Sequence, residues 1–136
     1  MVLDPGVYNS GGADLGLTGV LTLNAHGNSC AVFIFQASST LTINVGSSVV
    51  LENGAKADHV FWTVASSATL DGSGSFKGNI LVHTAITLIT GEGVVEGRLL
   101  AGGSITLDTN TVEAYQCYTP TPTPTASATP SPTATP

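Results

Sequence analysis

Apolar and polar residues alternate over short runs along this chain, and one type of run recurs. Its members place an apolar residue on either side of a threonine: VLTLNA (20–25), TLTINV (40–45), ATLDGS (68–73), ITLITG (86–91) and ITLDTN (105–110). The central threonines are separated by 20, 27, 18 and 19 residues, and the longest step contains a polar insertion, ENGAKADH (52–59). Because side chains alternate between the faces of a strand, each run predicts a β-strand with an apolar inner face and an outward threonine.

Two further sets of predicted strands recur along the chain with the same spacing as the threonine runs. One set is VFIFQ (32–36), VFWTV (60–64), NILVH (79–83) and RLLAG (98–102), and a weaker set ends near Phe76, Val95 and Val112. Glycines fall between the sets, where corners need unusual backbone angles. Three short strands per repeat predict an all-β fold, an irregular β-solenoid of about five coils between Leu17 and Tyr118 with no major helix. A β-sandwich also has short strands and frequent turns, but the fixed period favours the solenoid.

The outward residues of the threonine runs are expected to stack in two columns. The first column is Thr22, Thr42, Thr69, Thr87 and Thr106, and the second, two residues earlier, is Thr40, Ser67, Ala85 and Ser104. Stacking at ~4.8 Å between strands and ~6.6–7 Å along a strand gives a flat grid of hydroxyl and methyl groups. Threonine suits any solvated strand by β-propensity alone. Yet Lys, Arg and Glu, which usually protect exposed strands, are missing here, so the grid suits a repetitive, neutral ligand.

The VFIFQ side differs because both of its alternating sets are apolar. The predicted columns are Ile34, Trp62, Ile80 and Leu99, and Phe35, Thr63, Leu81 and Leu100. A strand that is apolar on both faces is covered on both faces, so a missing segment, a partner chain or another copy is expected on this side. The third side places Lys77, Glu96 and Glu113 at matching positions and is predicted to be solvated.

Charge excludes several classes of function. Three basic and nine acidic residues give a net charge of −6. Without a Lys/Arg cluster, neither nucleic acid nor a membrane surface is an expected partner. No apolar run reaches the ~20 residues of a membrane span, and MVLDPGVY lacks signal-peptide features. The acidic residues are scattered over turns, and His26, His59 and His83 show no metal-ligand spacing. Neither catalysis nor a metal or other cofactor is therefore expected.

The last residues change composition. From Thr119 the chain reads TPTPTPTASATPSPTATP, which has no apolar side chain larger than alanine. Residues 1–118 are therefore predicted to form the solenoid domain and 119–136 a disordered linker or stalk. Such Thr/Pro tracts are typical of secreted or surface-anchored proteins, which predicts an extracellular or cell-surface location; a neutral disordered tail is the alternative. Cys30 and Cys117 form no CxxC pair, so they are either buried thiols or a disulfide within or between molecules.

The motifs PGVY, AVFIFQ, VFW, SSATL, GNIL and ITLD follow one another in order along this chain. With them, the segment from residue 3 to about 115 resembles the C-terminal half of microbial ice-binding proteins with a discontinuous β-solenoid. The resemblance implies a triangular, right-handed solenoid flanked by a long helix, with the helix and first coil supplied by an N-terminal half. It also implies that this helix covers the VFIFQ side and that the last coil, around residues 98–115, pairs with that first coil.

Two departures from the family pattern stand out. Family members often have cysteine before VFW, where this chain has Asp58-His59. Cys30 and Cys117 lie at opposite ends of the coils, roughly 19 Å apart at ~4.8 Å per coil, which is beyond disulfide reach. Any bond between them is expected to join molecules stacked end to end.

The resemblance implies ice binding through the threonine side. The family pattern T-A/G-x-T/N is matched by residues 84–87, and more loosely by 39–42, 66–69 and 103–106. The candidate ice-contact residues are Thr22, Thr40, Thr42, Ser67, Thr69, Thr84, Thr87, Ser104 and Thr106. Their partner is ice or ordered water, which a rigid grid binds at lower cost because it is ordered beforehand. The alternative is a structural filament or stalk subunit, whose open coil end and bare apolar side are covered by the next copy.

Overall fold

The structure is a computed structural model that describes residues 1–71, 74–89, 91 and 93–114. Regular structure in these residues is all strand, apart from a single 3-10 turn at Ala57–His59. The strands are β1 (Val2–Leu3), β2 (Gly6–Asn9), β3 (Leu15–Leu17), β4 (Val20–Asn24), β5 (Phe33–Ala37), β6 (Leu41–Ile43), β7 (Ser48–Glu52), β8 (Val60–Val64), β9 (Ala68–Leu70), β10 (Ser75–Lys77), β11 (Asn79–Val82), β12 (Ala85–Leu88), β13 (Val94–Glu96), β14 (Leu99–Ala101), β15 (Ser104–Leu107) and β16 (Thr111–Glu113). The predicted linker 119–136 and Cys117 lie outside the described residues.

The strands form four parallel sheets that the chain visits in turn. The aromatic sheet has the order β14-β11-β8-β5-β2, and the threonine sheet has the order β15-β12-β9-β6-β3. The amino-terminal short sheet is β1-β4-β7, and the carboxy-terminal short sheet is β10-β13-β16. The chain passes from the aromatic sheet to the threonine sheet to a short sheet and then repeats. This order confirms the predicted all-β solenoid, while its right-handed sense and the number of coils stay predictions.

Inward side chains of the aromatic sheet stack through the middle of the core. The Tyr8 and Phe35 ring centroids lie 5.3 Å apart, and those of Phe35 and Trp62 lie 4.0 Å apart with only 13° between the ring planes. Trp62 also packs against Phe76 at 5.0 Å, and its indole N–H donates to the Lys77 carbonyl at 3.1 Å. The stack joins the aromatic sheet to the carboxy-terminal short sheet and satisfies the one polar atom of the buried indole.

The register corrects the predicted columns of the aromatic sheet. Trp62, Ile80 and Leu99 are aligned as expected, but Phe35 stands opposite Trp62, and Ile34 stands opposite Phe61. Likewise Gln36, not Phe35, is aligned with Thr63, Leu81 and Leu100. Aligning the runs VFIFQ and VFWTV by sequence matches Val32 with Val60, whereas the structure pairs Phe33 with Val60. A shift of one residue exchanges the two faces of a strand, so only this pairing keeps Phe33 and Phe35 in the core.

The third side of the solenoid is divided between the two short sheets. Lys77, Glu96 and Glu113 are aligned as predicted, and the Lys77 ammonium contacts the Glu96 carboxylate. Where the two sheets adjoin, the Gly74 backbone lies so close to the Ser47 carbonyl that an added Cβ would stand 1.7 Å from its oxygen. Glycine is therefore required at this junction on steric grounds alone.

Candidate functional site

The outer face of the threonine sheet carries an aligned column of threonines. The register places Gly16, Thr42, Thr69, Thr87 and Thr106 side by side on neighbouring strands. The residues on either side of each threonine in β6, β9 and β12 are buried, which fixes the threonines on the outer face. The predicted alignment is thus confirmed from Thr42 to Thr106, and Gly16 occupies the first position.

The second predicted column also lies on this face, two residues before the first. Ala85 and Ser104 are aligned in the register, and the Leu41 N–H donates to the Ser67 carbonyl at 3.0 Å, which sets Ser67 beside Thr40. The column begins at Asp14, whose carboxylate accepts from the Thr40 hydroxyl at 2.8 Å and the Thr40 N–H at 3.1 Å. These bonds, the hydroxyl first, lower the pKa of Asp14 below its usual value.

A third column on the same face was not identified from the sequence. Backbone hydrogen bonds from Asn44 to Leu17, from Asp71 to Ile43 and from Ile89 to Leu70 continue the ladder beyond the ends of the strands. The column contains Thr18, Asn44, Asp71, Ile89 and Asp108. The Asn44 amide donates to the Thr18 hydroxyl at 2.9 Å, which links two of its positions. The sequence does contain a pattern that predicts this column, because side chains two residues after each central threonine point to the same face of the strand.

Thr22 was wrongly assigned to the threonine column. It lies in β4 of the amino-terminal short sheet, where its neighbours in register are Val2 and Val50. The strand that precedes Thr42 in the threonine sheet is β3, with the sequence LGL. VLTLNA has the same alternation as the true members, so a local pattern could not distinguish the two sides; only the register does so.

Thr84 lies apart from both predicted columns. It immediately precedes β12, and its N–H donates to the Ser66 carbonyl at 2.9 Å at the corner between two sheets. Its side chain is exposed, so it borders the threonine face. The T-A-x-T pattern therefore joins a corner residue to a face residue, Thr87, and does not define two positions of one column.

The described part of the threonine face carries hydroxyl, methyl and amide groups and no Lys or Arg. Its charged side chains are three carboxylates, of Asp14, Asp71 and Asp108, all in the outer two columns. In the described ranges, no three His, Cys, Asp or Glu side chains come together as metal ligands. Nor does any helix among those residues have the length and apolar character needed to cross a membrane. The face can thus form many weak, regularly spaced hydrogen bonds and methyl contacts.

Comparison with known proteins gives a consistent result. A family model described as ice-binding-like matches residues 1–113. An ice-binding protein of Nostoc sp. (strain HG1) is 48% identical over 120 residues, which cover 88% of this chain and 44% of that protein. Ice-binding protein 1 of Shewanella frigidimarina is 37% identical over 115 residues, covering 82% of this chain and 13% of that protein. The chain therefore spans less than half the length of these relatives.

Solved structures agree with the sequence comparisons. An ice-binding protein from the Antarctic ascomycete Antarctomyces psychrotrophicus superposes with a TM-score of 0.79 at 41% identity, over 85% of this chain and 55% of that one. An ice-binding protein from an Antarctic biological consortium gives 0.78 at 39% identity, over 82% of this chain and 51% of that one. In both comparisons the matched part is about half of the longer structure.

Proposed function

Because the chain belongs to the ice-binding-like family, we propose that the outer face of its threonine sheet adsorbs to ice. The observation that carries the proposal is the column from Thr42 to Thr106, in which four threonines repeat in register. The second column adds Thr40, Ser67 and Ser104. A crystal surface is itself a repeating, uncharged array, so a ligand of that kind matches a face whose groups repeat at ~4.8 Å.

Threonine suits this task through its stiffness and its two different outer groups. Its branched Cβ restricts χ1 in a strand, so the hydroxyl and methyl keep fixed directions. The hydroxyl exchanges hydrogen bonds with ordered water, while the methyl excludes other water arrangements. Beneath the threonines, Ile86 and Leu88 are almost completely buried, so the strand has little freedom to move. Ordering the surface before binding lowers the entropic cost of adsorption.

The proposal is tested by placing a large ring in the column. We expect Thr69→Tyr and Thr87→Tyr each to reduce thermal hysteresis to roughly a tenth or less, because the ring holds the neighbouring threonines away from a flat crystal. Ice shaping and partition into a growing ice hemisphere are measured on the same samples. Thr22→Tyr is the matched control, since it makes the same change on the amino-terminal short sheet. Full activity in the two column variants would refute the assignment of this face.

Self-association is a second candidate, which the carboxy-terminal edge favours. There, among the residues that the structure describes, nothing covers the inward apolar side chains of β15 and β16: Ile105 is 42% exposed and Leu107 50%, whereas their neighbours Ile86 and Leu88 are at most 2% exposed. We propose that a second copy stacks on this edge, with Cys30 and Cys117 as the pair that could link the two. Cys30 is exposed, as such a link requires. Sedimentation velocity and non-reducing gels test this, and monomer alone under oxidising conditions would refute it.

The proposed setting is extracellular or at the cell surface. The Thr/Pro composition of residues 119–136 supports a linker or stalk that holds the solenoid away from an anchor. The family description names binding and no reaction, which agrees with the expectation that the chain is not an enzyme.

A further inference from the structure

One carboxylate lies among the hydroxyl groups at the amino-terminal end of the threonine face. Asp14 Oδ1 accepts two hydrogen bonds from a single residue of the next strand, from the Thr40 hydroxyl at 2.8 Å and from the Thr40 N–H at 3.1 Å. Within the described residues, no protein group bonds the hydroxyls of the first column, which are those of Thr42, Thr69, Thr87 and Thr106. The Thr40 hydroxyl therefore differs from them, because its proton is already committed to a protein group.

Backbone pairing holds the two residues of this contact in place. The Leu15 N–H donates to the Thr40 carbonyl at 2.8 Å, and Leu15 and Leu41 are aligned in the register of β3 and β6. The two bonds to the carboxylate are charge-assisted, so each is stronger than a bond between neutral groups. Because the Cβ of threonine is branched, a fixed hydroxyl also fixes the direction of the methyl group. Thr40 is thereby held in one side-chain conformation.

The surroundings of Asp14 keep it ionised. Residues 10–18 and 38–44, which include both strands and the residues before them, contain no other titratable side chain. None of the ion pairs among the described residues involves Asp14. Hydrogen bonds, first the one from the Thr40 hydroxyl, lower the pKa of Asp14. At neutral pH the carboxylate is therefore charged and can only accept hydrogen bonds.

The contact determines which hydrogen bonds Thr40 can make with water. A hydroxyl has one proton to donate and two lone pairs with which to accept. The carboxylate takes the proton of the Thr40 hydroxyl, and Thr40 is only half-buried, so its hydroxyl can accept from water but cannot donate to it. A threonine hydroxyl without a protein partner can do either. Fixing the hydrogen-bond direction before adsorption removes alternatives that binding would otherwise have to remove.

We propose that Asp14 is a positioning residue of the ice-contact face, which holds Thr40 so that its hydroxyl accepts hydrogen bonds from ordered water and donates none. The inference rests on the ice adsorption proposed above and specifies the hydrogen-bond direction at one position of the face. Two other roles for Asp14 predict different results. A residue that only stabilises the strands would leave adsorption unchanged, and a charged boundary of the face would hinder adsorption.

The test is a double-mutant cycle on ice adsorption, made in the full 136-residue chain. Asp14→Ala removes the acceptor, and Thr40→Val removes the hydroxyl while nearly keeping the shape. We expect each variant to need at least about twofold more protein for a given thermal hysteresis, and the double variant no more than Thr40→Val alone. Asp14→Asn keeps an acceptor oxygen and should restore most of the activity. Asp71→Ala changes a carboxylate of the third column, and its effect should add to that of Thr40→Val.

The contact itself is measured by NMR of the Thr40 amide and methyl groups in solution without ice. Because the pKa of Asp14 is lowered from 3.8, both signals should shift together with a midpoint below that value as the pH falls from about 6 to 2. In Asp14→Asn the same signals should stay nearly constant. This readout reports the bond between the two side chains and does not depend on the stability of the fold.

Three results would overturn the proposal. They are additive effects of Asp14→Ala and Thr40→Val, hysteresis in Asp14→Ala that equals or exceeds that of the parent, and Thr40 signals that titrate alike in the parent and in Asp14→Asn. If Asp14→Ala fails to fold, Asp14→Val takes its place in the cycle, because a branched side chain suits a strand. Full activity of Asp14→Ala in a protein that Thr69→Tyr inactivates would refute the role of Asp14 and leave the ice-contact face in place.

Discussion

Gly16 is the position at which the threonine column ends. It stands in register with Thr42, and nothing lies within 4 Å of the place where a Cβ would be. A branched side chain therefore fits there without strain, and it suits a strand better than glycine does. A threonine at position 16 would therefore lengthen the threonine column by one position.

We expect Gly16→Thr to extend the column to a fifth threonine and to increase thermal hysteresis at a fixed protein concentration. The free energy of unfolding should also rise by about 0.5–1 kcal/mol, because glycine in a strand loses the most conformational freedom on folding. Gly16→Ala is the control, since it adds a Cβ but no hydroxyl. An unchanged hysteresis in a folded Gly16→Thr protein would show that β3 lies outside the ice contact.

Asp14 predicts a pH dependence at the edge of the same face. Its pKa is lowered by the Thr40 hydroxyl, then by Ser39, so folding favours the charged form. The resulting stability is present above the unfolded pKa, near 3.8, and is lost as pH falls through the lower folded value. Thermal midpoints measured between pH 6 and 2 should therefore fall less in Asp14→Ala than in the parent protein. Parallel curves for the two proteins would contradict this assignment.

At the residue scale, the sequence predicted much of the face and missed part of it. Thr42, Thr69 and Thr87 could be predicted because the apolar–polar alternation within each run and the spacing between runs both place them on the outer face. Thr22 could not be excluded, because its flanking residues follow the same alternation and its true neighbours are remote in sequence. Asn44 and Ile89 follow the ends of their strands by one residue, and neither is a threonine, so a search for recurring threonines does not find them.

At the scale of elements, glycines set how closely successive strands and corners can approach. We expect Gly74→Ala to lower the free energy of unfolding by about 2–3 kcal/mol, since the new methyl would overlap the Ser47 carbonyl and force the two short sheets apart. Urea unfolding measures the change. Gly16→Ala again serves as control, because it is the same substitution in open space. Equal free energies of unfolding for the two variants would show that the junction accommodates the added methyl group without loss of stability.

The aromatic stack is a second test at this scale. Trp62→Phe should cost about 1–3 kcal/mol, through lost packing against Phe35 and the lost hydrogen bond to the Lys77 carbonyl. Calorimetry or urea unfolding measures it. Tyr8→Phe is the comparison, because it keeps its ring against Phe35 and loses only the exposed hydroxyl bond to the Asp4 carbonyl. A larger loss in Tyr8→Phe than in Trp62→Phe would contradict the central position of the indole.

Most strand types could be predicted from the sequence, but the side to which VLTLNA belongs and one register could not. Repetition of similar strands revealed three sides and the order in which the chain visits them. Because of the insertion at 52–59, the register between β5 and β8 could not be read from the sequence, and aligning Val32, just before β5, with Val60 gives an error of one residue. What decides the register is the fit of whole rings in the core, which depends on side chains from several strands together.

At the scale of the molecule, the strands at the carboxy-terminal edge differ from those in the middle. β14, β15 and β16 each pair on one side only among the described residues, whereas β8 and β11 pair on both sides. In a repeat protein, stability is shared between neighbouring repeats, so the last repeat opens most readily. We expect hydrogen exchange of amides in 99–113 to be at least about tenfold faster than in β8. Uniform protection would point to an edge covered in solution, as self-association requires.

The in-register pairing also determines how such a protein can change over time. Because each coil contributes one residue to every column of the threonine face, duplication of one coil would lengthen all the columns together and bury more core in the same event. Contact area and resistance to unfolding would therefore increase by whole repeats, and neither could be changed far without the other. Affinity for a crystal surface would therefore change in steps of one repeat. Point mutations would produce only the smaller changes between those steps.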